Sequence, residues 1–180
     1  PALTQEKIMP SRPAIALSAM ILVLLGGCAT SMSGPMASAD LLARSGSTVS
    51  GTVSFSEAGG RLKVEATVAG LTPGEHGFHI HELGDCSAAD ATSAKGHFNP
   101  GAKAHGHHAG DERHGGDMPN LIANAQGEAK FSAELRGLTL NGATGVVGRS
   151  VVIHADPDDY KSQPAGNSGK RIACGVIALR

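Results

Sequence analysis

The stretch GFHIHELGDC, residues 77 to 86, sets two imidazoles one residue apart beside a cysteine. On a β-strand successive side chains point to opposite faces, so His79 and His81 share one face while Phe78 and Ile80 enter the opposite layer. Two imidazoles on one face are a metal-binding arrangement. Further on, KGHFNPGAKAHGHHAGDERHGGDMPNL carries His97, His105, His107, His108, His114 and Asp117. That segment is too rich in glycine for a helix and too rich in imidazole for an ordinary linker. Neutral imidazoles with one carboxylate make a fourfold set of the kind zinc accepts in a structural site. Composition alone equally admits a looser histidine-rich tract that binds metal weakly.

Short strands must position these groups. STVSGTVSF and RLKVEATVAG alternate apolar and polar residues, with Val49, Val53 and Phe55 on one side of the first and Leu62, Val64, Ala66 and Val68 on one side of the second. SEAGG between them reads as a hairpin turn. LTPGEHGFHIHE supplies a turn and a third strand, NLIANAQGEAKFSAEL two strands about NAQG, and RSVVIHA and RIACGVIAL two more. No helical period appears. The predicted class is all-β, an eight-stranded Greek-key sandwich or flattened barrel with an immunoglobulin-like architecture. Residues 82 to 120 and 155 to 170 resist strand assignment, and loops of that length in a compact domain usually carry function.

Composition narrows the class. A 180-residue chain with 25 glycines and a formal net charge of -1 suits one soluble domain of many turns and lacks the basic footprint of a nucleic-acid binder. Near the start, Lys7 and Arg12 precede AIALSAMILVLLGGC, an apolar run of signal-peptide length. Its end, LGGC, resembles the bacterial lipoprotein signal, in which the cysteine is lipidated and becomes the first mature residue; a buried helix with an incidental cysteine is the plainer alternative. Residues 1 to 27 are therefore expected to be a cleaved signal peptide, with Met9 a candidate initiator and Cys28 the lipidated residue. Residues 28 to 46, small, polar and patternless, are expected to be a flexible tether. With Cys28 so assigned, Cys86 and Cys174 remain as one pair in an exported chain, and a disulfide is expected between them rather than two free thiols.

GFHIHELGDC, GHFNP, ERHGGDMPNL, VVGRSVVIHADPDD and GKRIACGVIAL together resemble the copper, zinc superoxide dismutases, in their bacterial secreted form, over residues 47 to 180. The resemblance implies copper on His79, His81, His97 and His154, and zinc on His97, His105, His114 and Asp117, with His97 bridging the two as an imidazolate. It implies that His97 leaves copper on reduction and takes up a proton. Asp158 is implied to orient His79 and His105 from behind, Arg171 to guide the superoxide anion, and His76 to be structural. His107 and His108 are read as solvated loop residues. The implied reaction turns two superoxide anions and two protons into dioxygen and hydrogen peroxide, with copper cycling between two oxidation states and zinc structural, as antioxidant defence of the cell envelope. A noncatalytic copper- and zinc-binding lipoprotein is the alternative on the same sandwich.

The segment HADPDDYKSQPAGNSGKR is short where the family's charged guiding loop is often longer, so any steering field is expected from lysines elsewhere. Lys161, Lys95 and Lys103 are the candidates. The lipid on Cys28 implies a membrane-anchored periplasmic protein, and alanine after that cysteine points to the outer membrane. Monomer and homodimer both stay open.

Overall fold

The computed structural model describes residues 1, 2 and 36–180, so the expected signal peptide and Cys28 lie outside the described residues. Ten strands run in chain order: β1 (Met36–Ala43), β2 (Ser50–Ala58), β3 (Arg61–Ala69), β4 (Gly74–His76), β5 (Phe78–His81), β6 (Leu121–Ala123), β7 (Ala129–Leu135), β8 (Ser150–His154), β9 (Arg171–Val176) and β10 (Ala178–Leu179). The one helical turn among the described residues is a 3-10 turn at Thr92–Ala94.

The β2–β3 hairpin shows the local rule at work. Apolar residues at every second position put Val53, Phe55, Leu62, Val64 and Val68 inside, essentially without solvent exposure. Ladder pairing persists to Ala58 and Arg61, so the turn is only Gly59–Gly60. Both glycines have positive φ, 59° and 73°, the backbone that lets a two-residue turn follow the strand twist. The strands therefore run three residues further than the expected turn allowed.

All strand pairs are antiparallel, in the order β5-β8-β9-β1-β2-β3-β7, with β10 also on β1. β4 continues into β5 and pairs with β6, which a turn at residues 124–127 joins to β7, and this curls the sheet back toward its own edge. The crossovers make the Greek-key pattern. Phe55, Phe78, Leu62, Ile80, Leu121 and Ile153 fill the core. Phe78 and Ile80 are fully buried, and each such side chain contributes about 1.5–3 kcal/mol. A one-residue slip of β5 would turn them onto the face that now carries the histidines and drive His79 and His81 into the apolar core in their place.

The tether expected over residues 28 to 46 is corrected by β1. Met36–Ala43 pairs with β2 from Met36↔Ser56 to Leu41↔Gly51, and then with β9 at Leu42↔Cys174 and Ala43↔Ala173. Ala37, Ala39 and Leu41 face the core. MASADLLA lacks the branched and aromatic residues that advertise a strand; pairing on both sides holds it extended, because strand preference is set mostly by context.

Candidate metal centre

The strand ladder places the first group. His79 and His81 stand on β5 opposite Val152 and Ser150 of β8, and His154 ends β8 where a register shift follows Ile153. On the other edge of β5 the long loop returns to the strand. Phe98 N–H donates to Ile80 O at 2.8 Å, Ile80 N–H to Gly116 O at 3.0 Å, and isolated bridges pair His81 with His97 and His79 with Asp117. Loop residues are thus fixed by the same backbone that carries the first histidines.

Two four-membered groups result: His79, His81, His97 and His154, and His97, His105, His114 and Asp117. Within each, the candidate ligand atoms lie within 4.8 Å of one another, and all seven residues are buried. His97 belongs to both.

The hydrogen bonds around the rings decide which nitrogen faces inward. His81 Nδ1–H donates to Lys95 O at 2.9 Å and His154 Nδ1–H to Gly169 O at 3.3 Å; a carbonyl can only accept, so both rings keep a lone pair on Nε2. Those two Nε2 atoms face each other at 3.5 Å. His79 Nε2–H donates to Asp158 Oδ2 at 2.8 Å and His105 Nε2–H to Asp158 Oδ1 at 3.0 Å, which turns the Nδ1 of each into the site. His79 Nδ1, His97 Nε2 and His105 Nδ1 are buried without a hydrogen-bond partner. Orphaned ring nitrogens that converge in a buried site are what a cation satisfies.

On the other side of His97, Asp117 Oδ1 lies 2.8 Å from His97 Nδ1, 3.1 Å from His105 Nδ1 and 3.2 Å from His114 Nδ1. His114 Nδ1 is 3.4 Å from His97 Nδ1. A tetrahedral zinc ion with bonds of 2.0–2.1 Å needs ligand atoms about 3.3 Å apart, so this set fits zinc. The all-imidazole set suits copper, since nitrogen ligands hold both of its oxidation states.

Titration reflects the crowding. Burial lowers His79, His81 and His154, and neighbouring imidazoles add to it at His81 and His154. Burial and then His79 bring His97 down to about 4. Burial also works against a charged His105, but Asp117 and Asp158 outweigh it and raise that ring to about 9. Both carboxylates resist burial because their histidine contacts hold them well below the usual carboxylate range.

Arg171 opens β9 opposite His154 and is half-buried, and its Nη1 donates to Ala91 O at 2.7 Å. Ala91 lies in the loop that the Cys86–Cys174 disulfide, with a Cα–Cα distance of 5.7 Å, ties down to β9. Ala91 and Ala94 pack there with Val152 and Cys174 in a small second core, and Arg44 Nε donates to Cys86 O at 2.9 Å. His76 reaches His154 O and Thr72 O, both at 2.8 Å, and joins neither ligand group. His107 and His108 lie with ring centroids 4.1 Å apart and pack at steep angles against Tyr160, also outside both groups.

Sequence reasoning missed the supports behind the ligands. Asn120 Nδ2 donates to Asp158 O while its Oδ1 accepts from Asp158 N, and Gln163 bonds both backbone groups of His105. Gly166 lies so close to Asp158 that a Cβ would strike the carboxylate. Asn120 and Gln163 lie 38 and 58 residues from their partners, so no local signal announces them.

The family model for copper/zinc superoxide dismutase matches residues 49–177. A superoxide dismutase [Cu-Zn] of Deinococcus radiodurans is 44% identical over 165 residues, covering 85% of this chain and 89% of that protein. Superoxide dismutase [Cu-Zn] 2 of Brassica juncea is 42% identical over 139 residues, covering 73% of this chain and 91% of that one. Among solved structures, that of the clock protein EA4 superposes with a TM-score of 0.75 at 36% identity, covering 82% of this chain and 96% of that one.

Proposed function

The chain belongs to the copper/zinc superoxide dismutase family, and from that premise we propose how its own residues divide the work and where the protein does it. It is an oxidoreductase that converts two superoxide anions and two protons to dioxygen and hydrogen peroxide. Copper, when bound, supplies the one-electron exchange with superoxide, and zinc supplies fixed charge without redox change.

His79, His81 and His154 hold copper, His105, His114 and Asp117 hold zinc, and His97 serves both. The observation that carries this reading is the shared ring: His97 turns Nδ1 toward Asp117 and keeps Nε2 buried and without a partner beside His79. That Nε2 is the atom at which a proton can be held when it is not a ligand. Asp158 keeps His79 and His105 in their ligating tautomers at once. Arg171 offers a guanidinium, charged at any working pH and anchored on Ala91 O, to a small anion arriving beside His154.

Loading with both metals tests the reading. One copper and one zinc per chain with rapid, cyanide-sensitive dismutation is the expected result. Tight binding of both metals without turnover would make the protein a metal buffer instead.

The secreted, lipid-anchored form belongs to the proposal as well. LGGC ahead of a polar stretch supports lipidation of Cys28 and residence in the periplasm at the outer membrane. Labelled palmitate should enter the wild-type chain and be absent from Cys28→Ala; equal labelling of both would remove the anchor.

A further inference from the structure

Tyr160 is the chain's single tyrosine, and the chain has no tryptophan. It stands two residues after Asp158, in the loop over residues 155 to 170, with a φ of 59°. A bulky side chain enters that left-handed region only where its surroundings hold it there. Three contacts do so. The Tyr160 backbone N–H donates at 2.7 Å to Asp158 Oδ1, the oxygen that also accepts from His105 Nε2. The phenol oxygen accepts from Asn120 N–H at 2.8 Å. The ring packs against His107 and His108, with centroids 4.7 and 5.5 Å away.

His107 and His108 follow His105 by two and three residues, and Asn120 follows Asp117 by three. One side chain thus grips the zinc loop just beyond two of its ligands. Asn120 is buried, so deleting the hydroxyl would leave its N–H without a partner. The two histidines, expected as solvated loop residues, lie instead against an amphipathic ring, His107 exposed and His108 half-buried. The zinc loop forms no strand of its own, so contacts of this kind set the share of metal-free molecules in which His105 and Asp117 stand ready. Apparent affinity for an ion scales with that share.

We propose that Tyr160 is a positioning residue of the zinc site: it clasps the loop at His107–His108 and at Asn120, and so holds His105 and Asp117 in place for the ion. The assignment rests on the zinc site of the dismutase reading above. Its hydroxyl and ring meet Asn120, His107 and His108, none of them a copper ligand, and its backbone bond to Asp158 survives substitution of the side chain.

The experiment compares Tyr160→Leu, Tyr160→Phe and the double change His107→Ala with His108→Ala, in the full chain. Competition with a chelator gives zinc affinity in copper-free protein and copper affinity in zinc-free protein. Tyr160→Leu should lose about 10–100-fold for zinc, the usual loss when a support behind a ligand is removed. Tyr160→Phe, which keeps the ring, should lose about three- to tenfold. Copper should stay within about twofold of wild type in both. The histidine change should cost less in Tyr160→Leu than in the wild type, since the contact is then already gone. Tyrosine emission of the copper-free wild type reports Tyr160 alone and should change at the rate at which a chelator withdraws zinc. Wild-type zinc affinity in both Tyr160 variants, equal losses of zinc and copper, or emission indifferent to zinc would each overturn the proposal. If Tyr160→Leu does not fold, Tyr160→Phe and the emission decide. Turnover absent from the loaded wild type would sink the dismutase reading, and the zinc titrations would still decide for or against Tyr160.

Discussion

His79, His81 and His154 stand on paired strands, whereas His105, His114 and Asp117 stand on a loop that forms no strand of its own. The copper side inherits its geometry from the register of β5 and β8, which core burial of Phe78, Ile80 and Ile153 enforces. The zinc side is assembled by side chains: Asp117 Oδ2 accepts from His114 N at 2.8 Å and Gly106 N at 3.2 Å, folding the loop onto one carboxylate. One side is built before any metal arrives; the other gathers around the charge that will hold it. Ions that bind a preformed site gain affinity, and ions that bind a gathered one lend stability.

The disulfide is where the comparison can be broken most severely. Strands hold the copper ligands, but the loop that gives Lys95 O to His81 and Ala91 O to Arg171 is held by Cys86–Cys174. The bond spans 88 residues, and chain entropy puts a closure of that length at about 4.5 kcal/mol. Replacing both cysteines by alanine should cost close to that in urea denaturation of the metal-free protein. It should also lower the rate more than zinc retention. A loss under about 1 kcal/mol would mean that the small core of Ala91, Ala94 and Val152 holds the loop unaided.

Asp158, outside both ligand groups, reaches both sides as the shared ring of His97 does, bonding His79 of the copper group and His105 of the zinc group. Asp158→Ala should weaken both metals, each by about 10–100-fold, as loss of a carboxylate behind a ligating histidine generally does. Gln163→Ala, which removes bonds to the backbone of His105 and to no copper ligand, should weaken zinc alone. Competition titrations with a chelator separate the two. If Asp158→Ala spared copper, the two sides would be independent, and the contrast between them sharper still.

How much of this could be read from the sequence follows the same divide. Alternation exposed β2, β3 and the facing pair His79 and His81, because a strand's two-residue period is written directly in its residue types. The zinc loop was legible as a concentration of imidazole, yet only a family resemblance separated His105 from His107 and His108. Nothing local distinguishes them; the bonds from Asp158 and Gln163, more than fifty residues away, bring His105 in, while His107 and His108 pack against Tyr160. β1 was misread as tether because alanine and serine fill a strand whose partners, rather than its residues, keep it extended. Asn120 and Gly166 were invisible for a related reason, since each acts through Asp158, Asn120 on its backbone and Gly166 against its carboxylate.

Acidity offers the finest test of the two sides. In the metal-free centre His105 holds its proton up to a pH of about 9, under the pull of Asp117 and Asp158, whereas burial keeps His79, His81 and His154 below the ordinary 6.5. Zinc must displace the His105 proton to reach its lone pair. Its apparent affinity should therefore rise about tenfold per pH unit between 6.5 and 9 and then level off, with one proton released per zinc at pH 7.5. Copper added to zinc-free protein meets rings that are already neutral, and should show no such slope. The His105 proton also stabilises the metal-free fold, fully below about 6.5 and decreasingly as the pH rises through 9. Alkaline solution should thus loosen the zinc loop of the metal-free protein while it tightens zinc in the loaded one. Calorimetry in two buffers of different ionisation heat measures the proton count directly, and equal slopes for the two metals would erase the distinction between a preformed side and a gathered one.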